Sequence, residues 1–83
     1  MKAFIELYRN DVFVQRYTKD IMDCVRRGYK PTAKMYYRNL LGALKYIWWN
    51  TDKINNEEIY EFCYAMDRWI EAQTGERHFS WDC

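Results

Sequence analysis

Side chains able to do chemistry are few and scattered along these 83 residues. The thiols are Cys24, Cys63 and Cys83; His78 is the single histidine and Ser80 the single serine. A metal site would need Cys24, Cys63, His78 and Cys83 to converge, and no two of them show the close ligand spacing of a zinc finger or ribbon. A Ser–His–acid arrangement would have to be built from the last few residues, where no regular element offers a rigid scaffold. His78 and Cys83 would make a thiol nucleophile only if a terminal cysteine were held firmly. The adjacent carboxylates Glu57 and Glu58 fall in the first turn of a predicted helix, where stabilising its positive end is a sufficient role. Glycines stand alone at 28, 42 and 75, so no glycine-rich loop cradles a phosphate. The expectation is a chain that is not an enzyme, with no catalytic residue, no cofactor and no metal ligand.

The elements that must position whatever the chain does use are helical. Pro31 to Asn50, PTAKMYYRNLLGALKYIWWN, forms the central one. Ala33, Tyr36, Tyr37, Leu40, Ala43, Leu44, Ile47 and Trp48 share one side of a 3.6-residue period. Lys34, Arg38, Lys45 and Trp49 line up on the other side. Thr32 is the expected N-cap, with Pro31 stopping the preceding helix. Gly42, in mid-helix, should cost about 1 kcal/mol relative to Ala unless close packing compensates.

Upstream, Met1, Phe4, Ile5 and Tyr8 give a short first helix. Its stripe is out of phase with Phe13, Tyr17, Ile21, Cys24 and Val25, which places a break at Asn10-Asp11, with one of the two capping the second helix. Arg26 and Arg27 suit the negative end of that helix and Gly28 its left-handed stop. Downstream, the polar loop NTDKINN has Ile54 as its apolar anchor. Asn55 and Glu58 stand in capping-box spacing before a stripe of Ile59, Phe62, Cys63, Met66, Trp69, Ile70 and Gln73. Tyr60, Tyr64, Asp67 and Glu71 flank that stripe, and Thr74-Gly75 ends it. The fold class is therefore all-α: a single domain over residues 1–83, with three main helices, a short extra N-terminal helix and an irregular tail at 76–83. The helices fall at about 2–9, 11–27, 32–49 and 56–73. The last helix should pack on Tyr36, Leu40, Leu44 and Ile47, with Phe13, Tyr17 and Ile21 closing the bundle.

Composition points to binding. Four Trp, eight Tyr and four Phe exceed what so small a core can enclose, and surface Tyr, Trp and Arg anchor interfaces. The net charge of +1 conceals a split: residues 1–49 hold ten Lys/Arg against four Asp/Glu, and residues 50–83 hold three against eight. An odd, widely spaced set of cysteines suits a reducing, cytoplasmic setting. The first residues lack a signal peptide's apolar run and no stretch approaches a membrane span, so no membrane partner is expected.

Two binding readings follow. In the first, the chain is a small non-enzymatic protein-binding module, an inhibitor or adaptor of a larger protein or protein complex. Its contacts are the stripe Tyr60, Tyr64, Asp67, Glu71 and the stripe Lys34, Arg38, Lys45, Trp49. Small phage and mobile-element accessory proteins, anti-CRISPR proteins among them, share this size and composition, an analogy with no motif behind it. In the second, Arg26, Arg27, Lys30, Lys34, Arg38 and Lys45 gather as a nucleic-acid-binding cluster, with Tyr29, Tyr37 and Trp49 to stack on bases. Over about half the chain, Thr32, Tyr36, Leu40, Leu44 and Ile47, then a loop, Ile59 and Phe62, the pattern resembles the helical core-binding domain of tyrosine recombinases. That resemblance implies DNA contact, but the catalytic domain it would require is not in this stretch. Homodimerisation through surplus aromatics is a third, structural outcome.

Overall fold

Each turn of the chain is set by a residue whose backbone or side chain satisfies the orphan groups at a helix end. A computed structural model describes residues 1–75, which form four α-helices: α1 (Lys2–Asn10), α2 (Val12–Arg27), α3 (Lys30–Asn50) and α4 (Asn56–Thr74). The expected tail, with its Phe79 and Trp81, lies outside the described residues.

Asp11 alone separates α1 from α2. Its backbone is extended, and its carboxylate Oδ1 accepts from the backbone N–H groups of Phe13 (2.9 Å) and Val14 (3.1 Å). The break expected at Asn10-Asp11 is there, with Asp11 as the cap. At the other end of α2, Gly28 adopts the left-handed conformation (φ +78°). Its N–H reaches Val25 O at 3.1 Å and the Tyr29 N–H reaches Cys24 O at 2.8 Å, so two terminal carbonyls are satisfied.

The start of α3 differs from expectation. The helix begins at Lys30, Tyr29 occupies the cap position with no side-chain bond, and Pro31 lies in the first turn. Proline is tolerated there because its missing N–H would have had no partner, and its fixed φ is already helical. Thr32 is thus inside the helix and caps nothing. At the far end, Thr51 Oγ1 donates to Ile47 O at 2.7 Å, and Ile54 then plugs the loop into the core. Asn55 caps α4 by accepting from Glu58 N–H at 2.9 Å, and Gly75 (φ +76°) follows its end.

Helices α2 and α3, joined by only Gly28 and Tyr29, run back along each other, and α1 and α4 cover one side of the pair. The core joins Phe4 and Leu7 of α1, Val14, Ile21 and Val25 of α2, Ala33, Tyr37, Leu40 and Leu44 of α3, Ile54, and Ile59, Phe62, Cys63, Met66 and Ile70 of α4. Phe4 stacks on Phe62 with ring centroids 4.2 Å apart, and Tyr37 donates its buried hydroxyl to Cys63 O at 3.3 Å.

Two expected core positions give way to neighbours in the chain. Ile5 is exposed while Leu7 is buried, and Phe13 is 64% exposed while Val14 is sealed. The buried stripe of α2 is Val14, Thr18, Ile21 and Val25. Thr18 obscures it in the sequence, because a hydroxyl reads as polar. Here Oγ1 donates to Val14 O at 2.7 Å, four residues back, which satisfies the hydroxyl and leaves the methyl for the core. Trp69 and Tyr36 are half-buried at the edge of the core rather than within it.

Candidate interaction surface

The two sequence-predicted stripes have different fates. On α4, most of the acidic groups are used within the fold. Glu58 does not close a capping box on Asn55; its Oε2 accepts from the Ala3 N–H at 2.9 Å, at the start of α1. Glu61 Oε2 accepts from the Met1 amine at 2.7 Å. Helix α1 has no side-chain cap of its own, so α4 supplies carboxylates to its positive end. Asp67 and Glu71 are half-buried, and both are engaged in interactions within the chain. Tyr60 and Tyr64 each stay 63% exposed. The Tyr64 hydroxyl accepts from Arg68 at 2.7 Å, with the guanidinium 5.4 Å from its ring centroid.

The predicted nucleic-acid cluster is divided among several environments. The Arg26 guanidinium lies 5.4 Å from the Trp69 ring centroid and so helps close the α2–α4 edge. Arg27 Nε faces Asp23 Oδ2 at 3.3 Å, one turn back on the exposed side. Lys30 and Lys34 are engaged within the chain. Arg38 and Lys45 are exposed and make no hydrogen bond or ion pair among the described residues.

Those last two cations share α3 with exposed aromatic side chains. Helix α3 carries Lys30, Lys34, Arg38 and Lys45 and not one carboxylate. Its outward side presents Met35, Asn39, Gly42, Tyr46 and Trp49, at helical spacing and all exposed. Tyr46 is 67% and Trp49 70% exposed, with Trp49 tilted against the half-buried Trp48 at a centroid distance of 6.1 Å. Across from them, Phe13 and Tyr17 project from α2. Between the two helices runs an open groove of about 590 Å³, lined by Asp11, Phe13, Tyr17, Arg38, Asn39, Gly42, Ala43, Tyr46 and Ile47. A Cβ added to Gly42 would meet nothing within 4 Å, so this glycine is not required by packing against the rest of the fold.

Of the predicted α3 stripe, Trp49, Arg38 and Lys45 are exposed, and Lys34 is half-buried and engaged within the chain. Sequence reading missed Phe13, placed in the core, and Tyr46, left unassigned. The signal for Tyr46 was available: it lies four residues after Gly42 and three before Trp49, on the same side of the helix.

Chemically reactive groups do not assemble among the described residues. Cys24 and Cys63 are free and buried, and no group of three or more His, Cys, Asp or Glu could hold a metal ion there. Burial raises the Cys63 thiol from its ordinary 9.0 to about 11; a hydrogen bond from Tyr37 opposes the rise, Asp67 adds to it and Lys45 opposes it. Burial also raises Cys24, helped by Asp23 and Asp20 and opposed by Arg27. Both thiols stay protonated at neutral pH, which makes them poor nucleophiles. His78, Ser80 and Cys83 lie outside the described residues. No described helix is long and apolar enough to cross a membrane.

No protein-family model matches the chain, no curated protein matches it, and no solved structure does.

Proposed function

We propose that this chain is a non-enzymatic protein-binding module that acts by occupying a surface of a larger protein, as an inhibitor or adaptor of the phage or mobile-element accessory kind. The observation that carries the reading is the exposed face of α3 with the adjoining edge of α2. Phe13, Tyr46 and Trp49 are each more than three-fifths exposed there, beside Arg38 and Lys45. Large aromatics in water, bordered by arginine, are the residues that dominate binding energy when a partner covers them. The α4 stripe offers less, because Glu58 and Glu61 already hold the start of α1 and Asp67 and Glu71 are engaged in interactions within the chain.

The test uses the intact chain as bait in nuclease-treated extracts of its source cells, beside a Tyr46→Ala/Trp49→Ala bait. A protein partner held by the first and lost at least tenfold by the second supports the reading. Capture that is unchanged by alanine substitution and charge reversal on both stripes, with the fold intact, contradicts it. Capture that disappears with the nuclease transfers the surface to nucleic acid.

A further inference from the structure

The same face has a shape and a charge that restrict what can occupy it. The groove lies between two helices that run back along each other, with Phe13 and Tyr17 on the α2 wall and Tyr46 on the α3 wall. Gly42 and Ala43 line it between these walls, and the open space above Gly42 permits the backbone of an occupant to come close. Helices pack at interaxial distances of roughly 8–10 Å, with the closest approaches over small residues. A third helix laid along the pair would set its apolar side chains between Phe13 and Tyr46.

Two charged residues line the groove, Asp11 from the start of α2 and Arg38 from α3. Asp11 is the single carboxylate lining the groove, and its Oδ1 is occupied by the first two N–H groups that it caps. Arg38, on the lining, and Lys45, outside the lining on the same helix and within electrostatic reach of Cys63, make no ion pair among the described residues. We infer that the groove docks an amphipathic helix of a partner protein, with apolar residues at i, i+3 or i+4 and i+7 and Asp or Glu along the edge that faces Arg38 and Lys45. This rests on the protein-binding reading above and specifies the partner's chemistry. A second copy of this chain fits less well. A two-fold contact would set the cations of one α3 against those of the other, and four of the five acids on α4 already make contacts within the chain.

The experiment is to pan a displayed library of random peptides against the folded full chain. Enriched peptides are then measured by Trp fluorescence against wild type, Gly42→Trp, Phe13→Ala/Tyr46→Ala and Arg38→Glu/Lys45→Glu. The expected peptides carry apolar residues at helical spacing with acidic flanks. Their affinity should fall at least tenfold on Gly42→Trp and on the double alanine variant, and by a similar factor, with a weaker salt dependence, on the charge reversal. Gly42→Trp is set in open space, and the alanine pair adds no bulk, so one blocked and one trimmed groove guard against misfolding.

Enriched peptides without helical periodicity, or ones that bind Gly42→Trp as tightly as wild type, overturn the proposal. So does a dimer by light scattering that Gly42→Trp dissociates, which would give the groove to a second copy. A single-stranded oligonucleotide that displaces the peptides and depends on Arg38 and Lys45 would give it to nucleic acid. A captured partner that survives Gly42→Trp but is lost on Trp49→Ala leaves the module standing and removes the groove. Acid-flanked helices that dock as expected while no protein is captured do the reverse.

Discussion

Helices α3 and α4 each carry aromatics and charge along an outward stripe, yet they use them in opposite ways. On α4, Glu58 and Glu61 hold the start of α1, and Asp67 and Glu71 are engaged in interactions within the chain. On α3, Arg38 and Lys45 make no ion pair among the described residues, although Lys45 is close enough to act on the Cys63 thiol of α4. Tyr46 and Trp49 stand in solvent on the same helix. A charged stripe on a helix is therefore ambiguous until its neighbours are known. Charge that faces an uncapped helix end belongs to the fold, and charge that faces an open groove is available to a partner.

The steepest way to break the contrast is beneath the surface, where both helices should matter alike. Phe62→Ala removes the stack on Phe4 and the contact with Tyr37, and should cost about 3–5 kcal/mol; Leu44→Ala should cost about 2–5 kcal/mol. Denaturant titration reads both losses, and indifference to either would remove the bundle as described. Alkaline pH comes next. Cys63 holds its proton more tightly folded than unfolded, so stability is full below about pH 9 and declines as pH rises from there toward about 11. A tenfold difference in proton affinity is worth roughly 1.4 kcal/mol, so two such steps put the decline attributable to this thiol at no more than about 3 kcal/mol. Cys63→Ala should flatten that limb of the stability profile, and an unchanged slope would show that the thiol is not shielded.

Smaller effects separate the two faces. Glu58→Ala should lower stability by about 1 kcal/mol through loss of the α1 cap, read as a lower thermal midpoint. Arg38→Ala and Lys45→Ala should each stay within about 0.5 kcal/mol of wild type. Equal losses on both helices would erase the distinction. Smallest is a gain: Gly42→Ala should stabilise by about 0.5–1 kcal/mol, because its Cβ enters open space and helix propensity improves.

Much of this molecule was legible in its sequence. Asp11, Gly28, Asn55 and Gly75 mark helix ends by local chemistry, which needs no knowledge of the rest of the fold. The apolar stripes of α3 and α4 were equally plain, since Leu40, Leu44 and Ile47 on α3, and Ile59, Phe62, Met66 and Ile70 on α4, recur at helical spacing. What was hidden depended on contacts between distant segments. Thr18 concealed the true register of α2, and with it the exposure of Phe13, because only the fold shows that its hydroxyl is satisfied by Val14 O. Glu58 looked like half of a local capping box until α1 was placed beside it, 55 residues away in sequence. Spacing put Lys34, Arg38, Lys45 and Trp49 on one face, but it could not say that Lys34 is engaged within the fold.

The central claim is that α3 faces a partner while the acids of α4 serve the fold. Its most direct test puts Arg38→Glu/Lys45→Glu beside Glu58→Gln/Glu61→Gln, with thermal midpoint and partner capture measured on each. The expected result is a crossed pattern: the α3 variant keeps its midpoint and loses the partner, and the α4 variant loses midpoint and keeps the partner. An α4 variant that keeps its midpoint and loses the partner, with the α3 variant still binding, would contradict it.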